Sequence, residues 1–155
     1  MKIKYWILIG LLPLMCCFSS CKQDLDLTAN YKDISITYAL LNVKDSVHYF
    51  KVYKGYLTDE NAYTQATWDN IYYPVDSIEV RLEEYVNGAL NRSAVLDTTT
   101  KVDKQSGTFT NPKQLLYYSR WTLNPEATYR LVIKHRNTGD EVYAETLVVG
   151  NFSIR

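Results

Sequence analysis

The residues able to do chemistry in this 155-residue chain are few and scattered. Its two imidazoles lie far apart: His48 sits between Val47 and Tyr49 in an alternating run, and His135 precedes a polar turn. Neither has a metal-ligand spacing. A nucleophilic serine needs an activating base, and no serine occupies a G-x-S-x-G turn. Carboxylates that hydrolyse a sugar face one another across about 5 to 10 Å. Glu83 and Glu84 are adjacent, so on one strand they point to opposite faces. Glu79 and Glu83 flank Arg81 and read as a solvated, charge-paired face. Asp97 and Asp103 border a polar loop that lacks the dense oxygen ligands of a calcium loop. The expectation is therefore no catalytic residue, no metal and no cofactor.

Binding chemistry is better represented. Tyr56, Tyr63, Trp68, Tyr72 and Tyr73 fall in one stretch, longer than a hairpin connection needs. Flat rings with polar tips suit recognition of a glycan or a protein surface. The same rings could instead fold back over the open end of a β-structure. Tyr117, Tyr118 and Trp121 are expected to divide between core and surface. Acidic and basic side chains balance at 17 each, which removes the electrostatic footprint of a nucleic-acid binder. A hydrophobic share of 46% and an aromatic share of 14% argue for a packed core rather than disorder.

The N-terminus carries an address. Lys2 and Lys4 precede an almost wholly apolar run from Tyr5 to Phe18, followed by Ser19, Ser20 and Cys21. This is the three-part pattern of a secretory signal. Its apolar run of about 14 residues falls short of the ~20 that a membrane-spanning helix needs. Phe18-Ser19-Ser20-Cys21 resembles the bacterial lipobox, with Phe18 in place of the commoner Leu. The resemblance implies cleavage before Cys21, a diacylglyceryl group on its sulfur and usually an acyl group on its amine. Cys16 and Cys17 lack small residues before them. A plain signal peptide with a chance cysteine, or an apolar start packed into a core, are the alternatives.

All three cysteines lie within the first 21 residues, so the rest of the chain has no thiol for a disulfide or a clustered-cysteine zinc site. Each buried methylene of a lipid contributes about 0.8 kcal/mol, and several chains together anchor stably. Removing Lys2 and Lys4 leaves a slight acidic excess, so anchoring would rest on the acyl chains. Lys22-Gln23-Asp24-Leu25-Asp26 resembles the acidic export signal of surface lipoproteins of the Bacteroidota, which implies exposure at the cell surface. A solvated acidic tether facing the periplasm is the alternative. Asp45-Ser46-Val47, Asp76-Ser77-Ile78 and Asp97-Thr98-Thr99 resemble the O-glycosylation sequon of that phylum, implying modification at Ser46, Ser77 and Thr98. Each also sits where turns and strand starts favour these residues. The Asn91-Arg92-Ser93 and Asn151-Phe152-Ser153 sequons are not expected to matter in a bacterium.

From about Asp33 the hydrophobic pattern has period two, as half-buried strands require. Ile34, Ile36 and Tyr38 alternate with Ser35 and Thr37, and Ser46 to Lys54 follow a polar turn. Ile78, Val80 and Leu82 alternate with Glu79, Arg81 and Glu83. That strand runs to Val86 and meets Asn87-Gly88, a hairpin dipeptide, before Leu90 to Leu96 returns. Asp97 to Gly107 reads as a connection to Thr108, Phe109 and Asn111-Pro112. Leu115 to Arg120 form another strand, and Tyr129 to His135 pairs with Glu141 to Val149. The helical candidate is Thr58 to Ala66, capped by Thr58 or Asp59. About seven strands with short connections favour a two-sheet sandwich, with a closed barrel as runner-up.

Leu123-Asn124-Pro125-Glu126-Ala127-Thr128-Tyr129, followed by Arg130-Leu131-Val132-Ile133, resembles the corner of a fibronectin type III domain. The resemblance covers about the last 35 residues. It implies that the Tyr129 hydroxyl bonds to backbone a few residues upstream while its ring packs with Leu131 and Ile133. Ala127 replaces the family's usual Thr, and no tryptophan occupies the second strand. The expected architecture is an all-β, immunoglobulin-like antiparallel sandwich over 33–155, after a signal peptide over 1–20 and a lipidated tether over 21–32. The chain stops a few residues after an extended segment, as a shortened relative of a longer surface lipoprotein would. The whole resembles lipid-anchored envelope proteins of the Bacteroidota. That implies a non-enzymatic binding or structural module of a surface complex at the outer membrane, with an envelope protein or glycan as partner. A glycan-binding or glycan-processing accessory using 56–73 is the alternative.

Overall fold

The computed structural model describes residues 33–58, 60–104 and 113–148. The signal peptide, Cys21 and its tether, Asp59, Thr108, Phe109, Asn111-Pro112, Val149 and the Asn151 sequon lie outside the described residues. Among the described residues there are eight strands, with two single helical turns between the second and third. They are β1 (Ser35–Ala39), β2 (His48–Lys54), α1 (Ala62–Gln65), α2 (Trp68–Ile71), β3 (Ile78–Val86), β4 (Ala89–Val95), β5 (Asp97–Thr99), β6 (Leu116–Ser119), β7 (Thr128–His135) and β8 (Glu141–Leu147). Among the described residues, no helix is long and apolar enough to cross a membrane.

The strands form two four-stranded antiparallel sheets, ordered β1-β2-β6-β5 and β4-β3-β7-β8. The arrangement is that of a β-sandwich. Alternation explains the core: Ile78, Val80 and Leu82 point inward from β3, and Tyr129, Leu131 and Ile133 oppose them from β7. Phe50 and Val52 face them from β2, with Tyr117 from β6. Leu96, Leu123, Ala127 and Val148 complete the apolar cluster.

Asn87 and Gly88 take positive φ values of 51° and 78°, so the dipeptide makes the mirror-image turn whose twist matches its flanking strands. At the second hairpin, Gly139 has a φ of 78° and its N–H donates to the His135 carbonyl at 2.7 Å. Three expectations need correction. Against the expected count of about seven, the described residues form eight strands, because Asp97–Thr99 pairs with β6 inside the segment read as a connection. Three residues are too few to show a period. The helical stretch is two separate turns, and the cap of the first is Asn61, whose side chain accepts the Tyr63 N–H at 2.9 Å. Thr58 instead accepts the Glu60 N–H at 3.0 Å in a local turn.

The third correction concerns β1. Its register with β2 sets Thr37 opposite Val52 and Ala39 opposite Phe50, so Ser35, Thr37 and Ala39 lie on the inward side, the first two half-buried and Ala39 exposed at the end of the strand. Ile36 and Tyr38 lie opposite Tyr53 and Lys51, on the outward face. The apolar half of this strand is the exposed half.

Candidate functional site

Three polar or aromatic assemblies could carry function. The first is the outward face of the β1-β2-β6-β5 sheet. Tyr38, Leu40, Tyr49, Lys51, Tyr53 and Leu116 line an open groove there. Ile34, Ile36, Tyr38 and Leu40 are all exposed, Tyr38 at 62% and Leu40 at 82%. Contiguous apolar surface of this kind marks an interaction site more often than an ordinary solvated face. A chain of ring contacts links the groove to the aromatic stretch. Tyr38 meets Tyr53 edge-on at 6.4 Å, Tyr53 meets Tyr72 at 5.3 Å, and Tyr72 meets Trp68 at 4.4 Å. Burial, with the neighbouring Tyr72 and Tyr38 hydroxyls, pushes the Tyr53 phenol up to about 12, so it stays neutral in any physiological medium. On the same face Tyr49 packs beside Tyr118 at 6.5 Å, and the Arg120 guanidinium lies 5.6 Å from the Tyr118 ring.

The aromatic residues named from the sequence are thus not one surface. Tyr72 and Tyr73 are buried, Trp68 and Tyr56 are half-buried, and Tyr63 is exposed. Tyr56 donates its hydroxyl to the Ala62 carbonyl at 2.7 Å, fastening the insert to its own first turn. Tyr73 leaves this group altogether and enters the second assembly.

There Tyr73, Asp33, Ser35 and His135 meet between the sheets. The Tyr73 hydroxyl donates to Asp33 Oδ1 at 2.6 Å and lies 3.0 Å from Ser35 Oγ. His135 places Nε2 at 3.4 Å from Ser35 Oγ and Nδ1 at 3.5 Å from Asp33 Oδ2, with its ring edge-on to Tyr73. The order serine, imidazole, carboxylate is the one a nucleophilic serine uses. Both distances exceed the 2.6–3.2 Å at which a base takes a proton, and Tyr73 competes for the serine and the carboxylate alike. As built, the cluster ties the start of β1 to β7.

The third assembly surrounds Glu84, which is 2% exposed. The β3-β4 pairing shifts register between Glu84 and Tyr85, leaving Asn91 as an extra residue in β4. A bulge lets neighbouring side chains point the same way. Asn91 Nδ2 and Arg92 Nη2 accordingly both donate to the Glu84 carboxylate at 2.6 Å. The Tyr129 hydroxyl donates to it as well and accepts the Asn124 N–H at 2.7 Å. Arg92 also donates to the Thr122 carbonyl at 2.7 Å, with its guanidinium 4.1 Å from the Trp121 ring centre. Burial opposes charge on Glu84, but the donors from Arg92, Tyr129 and Asn91 prevail and hold it below the ordinary carboxylate value. The network locks the β3-β4 hairpin to the loop before β7. Alternation already set Glu84 on the face opposite Glu83, but its partners in β4 were not legible because they depend on the bulge.

His48 is buried in β2, and its Nε2–H donates to the Trp121 carbonyl at 3.0 Å. Arg81 bridges Glu79 and Glu83 on the outward face of the second sheet, at 3.1 and 3.0 Å. Among the described residues, no group of three or more His, Cys, Asp or Glu is placed to hold a metal ion. Of the three sequon hydroxyls, Ser46 is exposed in a turn. Ser77 donates to the Pro74 carbonyl at 2.8 Å, and Thr98 lies in β5 opposite buried Tyr117. Comparison with protein-family models and with curated proteins finds no match for this chain.

Proposed function

We propose that this chain is a non-enzymatic envelope lipoprotein, anchored through Cys21 at the outer membrane and facing the cell exterior. Its sandwich docks a protein partner on the outward face of the β1-β2-β6-β5 sheet. The observation that carries the docking reading is the inverted strand β1, which turns Ile36 and Tyr38 to solvent beside Tyr49 and Tyr53. Burying such a face against a partner removes apolar area from water at about 25 cal/mol per Å². The anchor rests on Phe18-Ser19-Ser20-Cys21, and surface display on Asp24 and Asp26 behind it. The engagement of both imidazoles in structural contacts supports the non-enzymatic reading. An immunoglobulin-like type is supported by the strand order and by the Tyr129 hydroxyl at the Asn124 N–H.

The test has two arms. Cys21→Ser is expected to move the protein from the membrane to the soluble fraction and to abolish incorporation of labelled fatty acid. A photo-cross-linking residue at position 49 should give discrete adducts with envelope proteins in intact cells, and one at Ser93 on the opposite sheet should not. Equal labelling from both positions would remove the docking assignment.

A second reading, glycan recognition, is favoured by the ring chain from Tyr38 to Trp68. Retention on cell-envelope polysaccharide that is lost in Trp68→Ala would support it. Tyr72 is too deeply buried for a clean alanine test.

A further inference from the structure

A sheet edge exposes unpaired N–H and C=O groups, and proteins guard such edges with charge, brevity or bulges. Three of the four edges here are guarded. β5 has only three residues, β4 carries Arg92 and the bulge, and β8 carries Glu141 and Glu145. The fourth, β1, has none of these devices: residues 34–41 read Ile-Ser-Ile-Thr-Tyr-Ala-Leu-Leu, without a charge, proline or glycine. Among the described residues, nothing pairs with its outer side.

The direction of the backbone groups follows from one bond. The Gly55 N–H donates to the Ile34 carbonyl at 2.7 Å, extending the register that sets Ile36 opposite Tyr53 and Tyr38 opposite Lys51. In an antiparallel pair, hydrogen-bonded positions alternate. Even-numbered residues of β1 therefore bond to β2, and Ser35, Thr37 and Ala39 aim their N–H and C=O groups away from the sheet.

We propose that this edge pairs with the same edge of a second copy, antiparallel about a two-fold axis at Thr37. The register then sets Ser35 against Ala39, Thr37 against Thr37 and Ala39 against Ser35, using every outward backbone group of β1. Ile36 falls opposite Tyr38 twice on the outer face, an aromatic against β-branched pairing that stabilises sheets. No charge meets a like charge across the axis. Lys51 and its counterpart lie on β2 strands three strand spacings apart, roughly 14 Å, beyond the screening length in physiological salt. An uncharged strand calls for an uncharged partner strand, and β1 itself meets that requirement. The pairing joins the two outward faces into one eight-stranded surface and places the docking grooves side by side. One five-residue strand per copy buries less than the ~1,200 Å² of a durable interface. The dimer therefore forms in a concentration-dependent way and gains where copies share a membrane.

The register gives the test. In the full chain, Ile36→Cys and Tyr38→Cys change exposed side chains on the outer face. Their positions form the non-hydrogen-bonded pair, with Cα atoms about 4.5 Å apart, within disulfide range. Mixing the two variants under oxidising conditions is expected to give several-fold more disulfide-linked dimer than either variant alone. The unsubstituted chain supplies the background from its own cysteines, which keeps failure of the Cys21 anchor reading distinguishable. Equal cross-linking in mixed and single samples, or equal yield from Tyr143→Cys on β8, would overturn the pairing. Sedimentation at high-micromolar concentration should show a mass rising toward the dimer, and Thr37→Pro, which removes an outward N–H, should abolish the rise. A mass that stays monomeric at every concentration, or a dimer unaffected in a folded Thr37→Pro chain, would also refute it.

Discussion

Replacing Glu84 with glutamine tests whether the buried network holds the corner of the sandwich together. The side chain is 3% exposed and accepts from Asn91, Arg92 and Tyr129. An amide of the same shape loses the charge and turns an N–H₂ group toward donors, so at least one of the three is left unpaired. Hydrogen bonds to a charged group are worth about 1.5–3 kcal/mol each, and breaking a buried ion pair costs about 3–5 kcal/mol. Arg92 is 36% exposed and keeps its place against Trp121, so its charge can recover water. The cost should fall at the low end, about 3 kcal/mol. For a domain of this size that lowers Tm by roughly 10 °C. Tyr129→Phe removes the hydroxyl between Glu84 and the Asn124 N–H and should cost about 2 kcal/mol. The double variant should lose less than the sum, since both changes break one shared bond.

Acid supplies the control. Glu84 has a folded value depressed below 4.5, so its contribution is complete above 4.5 and fades as pH falls through the lower folded value. The gap in urea-unfolding free energy between the parent and Glu84→Gln should be full at pH 7 and shrink below pH 4.5. Glu83 is also depressed: burial opposes its charge, but the Tyr85 hydroxyl and the Arg81 and Arg130 guanidiniums outweigh it. It titrates in both proteins and cancels in the difference. A loss below about 1 kcal/mol at pH 7, or a gap that does not change with pH, would show that the network is not a structural lock.

The outward charge ladder should behave differently. Arg81→Ala, despite two close carboxylates, is expected to cost less than about 1 kcal/mol and to cost still less in high salt, by urea titration. Gly88→Ala meets no neighbouring atom within 4 Å, so its cost should be the backbone strain of a φ of 78°, about 1–2 kcal/mol in thermal unfolding. Phe50→Ala, 1% exposed where the sheets face each other, should cost about 3–5 kcal/mol and give the steepest drop of the series.

Much of the fold was legible because period two appears wherever a strand has a wet and a dry side. Ile78, Val80 and Leu82 are the clearest case, and Asn87-Gly88 reported its own turn through residues that accept positive φ. The Glu79, Arg81 and Glu83 ladder also followed directly from alternation. Legibility failed where a residue's role depends on a non-local partner. β5 is a strand only because β6 lies beside it. Glu84 accepts from two consecutive residues of β4 only because of the bulge at Asn91. Ser35, Tyr73 and His135 come from three distant parts of the chain and meet only once the sheets are packed.

Strand β1 shows a deeper limit, since alternation fixes the period of a strand and leaves its phase to the neighbours. Large apolar side chains ordinarily take the dry side because burial there gains most. Here the inward positions hold Ser35, Thr37 and Ala39, of which Ser35 meets Tyr73 and His135 while Ala39 remains exposed at the end of the strand. The outward positions hold Ile36 and Tyr38 beside Tyr53 and Tyr49. Turning the strand over would take Ser35 away from its contacts with Tyr73 and His135. The contacts of Ser35 thus favour this phase, and the exposed apolar stripe follows from it. A sequence selected only for the stability of an isolated domain would place polar side chains at 36 and 38. The proposed docking of a partner on that face would give Ile36 and Tyr38 a reason to be there.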